Sequence, residues 1–350
     1  ALRQQALSYS TFGFAMADVG LTPIANWYMR MAEKRLEIAG NPESRAWFNF
    51  YQTLSLAAQG QWSKSAPLLA EAEQLSRQVG SQRMWSDIRE YSGYFLYLQS
   101  RYSEALALLE DVTQAAFRYE HTQVIGRYHI ARARILLVIG SLDEAQAYFF
   151  DHQAAIESTL NTGDQTINRI GVCAFLTDLY RRTQAWDKAL ESAQTLNNLV
   201  ANAQTVSVIL LGAAAAPINL YLTLWERGAK PASECESLAR TALALYHRKY
   251  ATTREIGQPV EDAYWCWYYN LKGDTRRAKS AGTRAIQAAQ TYQLPYFEAV
   301  AHYHLGRFMS PTDPQRLYHL NAAHDRFTQV GAAYDAAKVA QLLGVGAAVG

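Results

Sequence analysis

The sequence predicts an all-α fold, and three observations carry that prediction. A short turn-and-helix pattern recurs at positions 60, 100, 140, 184, 228 and 273, so its spacings are 40, 40, 44, 44 and 45 residues. Apolar residues within the units follow three- and four-residue steps, and no stretch shows strand alternation bounded by turn residues. Only 9 prolines and 20 glycines occur in 350 residues, too few for a fold made of many tight β-turns. A period of this length marks a stacked repeat architecture. Residues 1–350 therefore read as one elongated domain, where length alone would give several compact ones.

The elements follow in chain order. Phe12 and Phe14 lie in a first helix, and Pro23 fits the first turn of a second. Gly60-Gln61-Trp62 is the first instance of the turn pattern. From Trp85 to Gln99, the residues Ile88, Tyr91, Phe95 and Leu98 share one helical side. After Ser100-Arg101-Tyr102-Ser103-Glu104-Ala105, the next helix carries Ala105, Leu106, Leu109, Val112 and Ala116 on one face. Later units open at Gly140-Ser141-Leu142-Asp143-Glu144-Ala145, at Gln184-Ala185-Trp186-Asp187-Lys188-Ala189, at the weaker Gly228-Ala229-Lys230, and at Gly273-Asp274-Thr275-Arg276-Arg277-Ala278. Glycine between helices permits positive φ, and alanine at the start of the second helix lets two backbones approach closely.

The most apolar stretch, Val206 to Leu224, is interrupted by Pro217 and Asn219, which predicts a buried helix pair joined near Pro217 and not a membrane span. Residues Tyr334 to Leu343 read as a short final helix with Asp335, Lys338 and Gln341 on its polar side, suited to capping the end of a stack. Gly344-Val345-Gly346 lacks a preceding strand and a following helix, so it reads as a frayed tail.

Charge and motifs narrow the function. Lys and Arg total 33 against 31 Asp and Glu, a net charge of +2, which gives no field for a polyanion or an anionic membrane surface. Hydrophobic residues make up 49%, enough for a large core. Cys173, Cys235 and Cys266 are too far apart for a zinc or dithiol motif and read as buried free thiols of a reducing, cytoplasmic compartment. No phosphate-binding loop, zinc-protease motif, nucleophile elbow or Cys–His arrangement occurs, so this chain is expected to be non-catalytic, without metal or cofactor. His302 and His304 are about 200° apart on a helix and cannot easily share a metal; His302 is expected to face the partner helix. The run Tyr264-Trp265-Cys266-Trp267-Tyr268-Tyr269 is expected to be mostly inter-helix core, with Trp267 the first candidate to face inward. Its opening, Ala1-Leu2-Arg3, is neither an initiator Met nor a signal peptide, and the chain is expected to be part of a longer protein.

These units resemble the tetratricopeptide repeat (TPR), best at Cys266, Tyr269, Gly273-Asp274, Ala278 and Ala285. Thr53, Thr177 and His152 depart from its small-residue positions, and the units exceed the standard ~34 residues. The last third, from Gly257-Gln258-Pro259 through Trp265-Cys266-Trp267-Tyr268, then Tyr292 to Ala299, His302 to Arg307 and Phe327 to Ala337, is similar to the C-terminal helical-repeat region of bacterial STAND-type signalling ATPases. These include class III nucleotide cyclases with a central ATPase module and, more distantly, LuxR-like activators. The resemblance implies a right-handed α-solenoid, a superhelix of about eight helix pairs. It implies a sensing or interaction module of a signal-transduction protein, binding a protein segment or small inducer and relaying this to an ATPase or output domain.

In the TPR register the concave groove is lined by Asp87, Glu90, Tyr94 and Tyr97, then Arg127 and Arg134, then Asp178, Arg181 and Arg182, then Trp267 and Asn270, and finally Tyr303 and Arg307. Arg beside aromatic rings suits a carboxylate, a phosphate or a peptide segment. The alternative function is a structural scaffold acting through self-association as a homo-oligomer.

Overall fold

The computed structural model describes residues 2–118, 122–160, 166–204 and 207–344. It is all-α, with no strand among the described residues. The chain begins with α1 (Leu2–Asp18), α2 (Thr22–Ala39), α3 (Pro42–Ala58), α4 (Trp62–Gln78), α5 (Gln82–Leu98) and α6 (Tyr102–Arg118). Then come α7 (Thr122–Ile139), α8 (Leu142–Asp151), α9 (Gln153–Thr159), α10 (Thr166–Arg182) and α11 (Trp186–Asn202). A 3₁₀ turn at Val208–Leu210 leads to α12 (Leu211–Ala214), α13 (Ala216–Glu226) and α14 (Ala232–Tyr246). The last helices are α15 (Gln258–Leu271), α16 (Thr275–Thr291), α17 (Pro295–Phe308), α18 (Pro314–Gln329) and α19 (Ala333–Leu343).

Local chemistry sets these boundaries. Asn41, Ser141 and Asp274 accept hydrogen bonds from the backbone N–H of Ser44, Glu144 and Arg277, satisfying donors that a helix start leaves open. Proline occupies the first turn of α2, α3, α15, α17 and α18, where its missing N–H costs nothing. Many of the short turns between helices use one left-handed residue. Gly60 (φ 68°) and Gly273 (φ 75°) supply it without strain, whereas Ser100, Gln184 and Gln293 hold φ of 61°, 59° and 54° with a Cβ. Gln293 is exposed, so Gln293→Gly is expected to raise stability by about 1 kcal/mol, read as a higher urea midpoint at unchanged slope.

Neighbouring helices pack as pairs: α1 with α2, α3 with α4, α5 with α6, α10 with α11, α13 with α14, α15 with α16, and α17 with α18. First helices of successive pairs also touch, as α10 does α7 and α13, and α15 does α13 and α17. Two features go beyond this pattern. The segment Val208–Ala216 is largely buried and packs against α3, α5 and α10. Pro217 stands in the first turn of α13 and the helix preceding it is a single turn, so the expected helix pair there is one short and one full helix. Val206 lies outside the described residues. The stretch Val208–Glu226 is long and apolar enough to cross a membrane by composition, and 83% of its apolar window is buried inside the fold.

The second feature is closure. The Trp62 indole donates to the Tyr292 carbonyl at 2.7 Å, the Tyr296 N–H donates to the Ser100 hydroxyl at 3.3 Å, and Arg254 pairs with Asp18. Early and late parts of the chain are therefore in direct contact. The expected short final helix is α19, and its polar side turns inward, onto the cavity described next. Val345 and Gly346 lie outside the described residues.

Candidate functional site

A cavity of about 330 Å³ opens between α10, α13, α15, α17 and α19. It joins a smaller lobe of about 80 Å³ through Arg181, Arg182, Asn219, Tyr264 and Tyr296, which line both. Helices from far apart in the sequence thus bring one constellation together.

At one wall, His304 stacks on Trp267 with ring centroids 4.6 Å apart, and the Arg307 guanidinium lies 4.6 Å from the Trp267 ring and 4.7 Å from that of Tyr303. Arg307 donates through Nη1 to Glu226 at 2.7 Å and through Nε to His304 Nδ1 at 3.2 Å. Burial first, then Arg307 and Lys338, holds the His304 imidazole well below its ordinary pKa, so it is neutral and accepts that bond.

At the opposite wall, Asp335 accepts from the Tyr296 hydroxyl at 3.0 Å and from Lys338 Nζ at 3.4 Å. Burial would raise the Asp335 carboxyl, but Lys338, Arg182, Arg181 and the Tyr296 hydroxyl outweigh it and hold the pKa below the usual value. Burial draws the Lys338 ammonium down to about 8 even with Asp335 beside it. Arg182 lies 4.1 Å over the Tyr334 ring and donates to the Leu137 carbonyl, tying α10, α7 and α19 together. Arg181 is paired with Asp178 at 3.0 Å. Three donors of the side chains lining the two walls have no acceptor at hydrogen-bonding geometry: Trp267 Nε1 and Arg307 Nη2 at the first and Arg182 Nε at the second.

Of the residues expected in a groove, Tyr97, Arg134, Asp178, Arg181, Arg182, Trp267, Tyr303 and Arg307 line this cavity or its lobe. The others do not. Arg127 pairs with Glu90 at 3.0 Å and with Asp87 at 3.9 Å in a separate, largely buried cluster. Tyr94 is buried beside Ala131 and Arg134. Asn270 is one turn on from Trp267 and near the same face, but it does not line the cavity and donates to the His304 carbonyl at 3.2 Å, joining α15 to α17. Val208–Ala216 packs against α3 and α5, and a separate cavity of about 420 Å³ opens between α1, α2, α3 and residues 251–255. Sequence reasoning missed Tyr264, Tyr296, His304, Asp335 and Lys338 as cavity residues. Only the i, i+3 polar pair Asp335 and Lys338 left a local signal.

His302 meets His319 of α18 at 2.9 Å, and burial, then His319 and Arg326, lowers its pKa to about 4. It is a neutral core histidine. Among the described residues no group of three or more His, Cys, Asp or Glu is placed to hold a metal ion. Cys235 and Cys266 are buried and Cys173 is half-buried, all as free thiols. No family model and no curated protein matches the chain.

Proposed function

We propose that this chain is a non-catalytic ligand-sensing module, built as a right-handed α-solenoid of about eight TPR-like helix pairs. On this reading it serves a larger cytoplasmic signal-transduction protein of the STAND-ATPase type, and passes ligand occupancy to an ATPase or output domain. The observation that carries it is the cavity between α10, α13, α15, α17 and α19, with three unpaired donors in its wall. The volume of about 330 Å³ favours a small ligand over a long partner segment.

Such a ligand touches α19 and the inner helices at once, so it binds the closed arrangement better than an open one and shifts the population toward it. Thermal unfolding against a library of small metabolites, charged and uncharged, tests this. At least one compound should raise the melting temperature saturably and slow amide exchange in α19. A library without any such compound defeats the reading.

The scaffold alternative draws on a different surface. Phe12, Leu21, Ile24 and Trp27 of the first helix pair and its turn are between 45% and 54% exposed, an apolar patch that self-association would cover. Sedimentation over a concentration series separates the two, since a strict monomer removes the scaffold.

A further inference from the structure

The unpaired groups of the cavity say what kind of ligand completes it. An indole N–H and a guanidinium are donors only, so Trp267 Nε1, Arg182 Nε and Arg307 Nη2 all require acceptors. Trp267 is 5% exposed and the Arg307 side chain 10%, so bulk water reaches neither freely. An unmade hydrogen bond on such a group is costly. The carboxylates of the wall are engaged elsewhere, Glu226 by Arg307 Nη1, Asp335 by Tyr296 and Lys338, and Asp178 by Arg181, and none accepts from these three atoms. Cationic side chains also outnumber carboxylates in the larger cavity.

Resting on the sensing reading, we propose that the cavity binds a small organic oxyanion, a carboxylate or phosphate metabolite, gripped by Trp267, Arg307 and Arg182. The guanidinium forks match a two-oxygen face, and the indole N–H supplies a further directional donor. The rings of Tyr303 and Tyr334 flank the cations and give the ligand body an apolar wall. A volume of about 330 Å³ admits a small metabolite and excludes a folded partner.

Isothermal titration of the whole chain at neutral pH and constant ionic strength tests this with three probes: inorganic phosphate, malate and uncharged glucose. Phosphate or malate should bind at one site, and which of them binds more tightly tells phosphate from carboxylate recognition. Trp267→Phe, which removes the N–H together with one of the two fused rings, and Arg307→Gln should each weaken that binding by roughly tenfold or more in variants whose urea midpoints show them folded. Arg77→Gln, on an exposed helix face, should leave it unchanged. If Arg307→Gln fails to fold, Trp267→Phe alone decides. Anion binding indifferent to Trp267→Phe overturns the inference, as does the absence of any binding by phosphate and malate. Binding of glucose alone overturns the oxyanion and leaves the sensing reading standing. The sensing reading falls only if the wider metabolite library also gives nothing.

Discussion

Asp335→Asn should cost the protein about 3 kcal/mol and loosen α19 from the rest of the fold. Asparagine keeps the shape and can still accept from the Tyr296 hydroxyl. It cannot offset Lys338, Arg181 and Arg182, which all act on the carboxylate now there. The variant therefore leaves like charges together in a poorly hydrated space. Lys338, already drawn down to about 8 by burial, then loses its proton more readily, which limits the damage without removing it. Amide exchange should quicken in α19 before the remainder of the chain unfolds. The folded pKa of Asp335 lies below its ordinary 3.8, so its contribution is present above that value and is lost as pH falls through the folded pKa. Equal urea midpoints for the two proteins at pH 7 would contradict this account.

Glu90→Gln should act through pH. Burial raises the Glu90 carboxyl from 4.5 to about 7, opposed by Arg127 and reinforced by Asp87. Between those two values the folded chain holds a proton that the unfolded chain has released. The stability this gives is complete below pH 4.5 and is lost as pH rises through 7, amounting to about 3 kcal/mol. Histidines work in the opposite direction. His129 and His302 are both lowered from 6.5 to about 4 by burial first, so their contribution is present above 6.5 and lost as pH falls. The difference between wild type and Glu90→Gln isolates the carboxyl, because the histidines are common to both. That difference curve should slope between pH 5 and 7 and be level above 8; a flat curve throughout would contradict it.

The all-α class was legible because helical periodicity is local: Ile88, Tyr91, Phe95 and Leu98 reveal their shared side within four turns of chain. The turns at 60, 100 and 273 were legible for the same reason. The inward turn of α19 was not, since Asp335 and Lys338 on a short terminal helix suit solvent equally well until α10 is known to lie opposite. Nor was the packing of Val208–Ala216 against α3, α5 and α10. An apolar run announces burial but not what it is buried against. The inward direction of Trp267 and Arg307 followed from register along single helices. The separation of Asp87, Glu90 and Arg127 from the cavity did not, because it depends on how each helix pair is rotated on the last.

The contacts between early and late turns alter how the chain reaches its fold. Trp62 and Tyr292 are 230 residues apart, Asp18 and Arg254 are 236 apart, and Ser100 and Tyr296 are 196 apart. A linear array of helix pairs assembles from near neighbours and can grow from any point along it. Here the last ties wait until most of the polypeptide is already ordered, so loop closure is met late and all at once. Damage near residue 292 is then felt near residue 62, and the segments these ties join melt together.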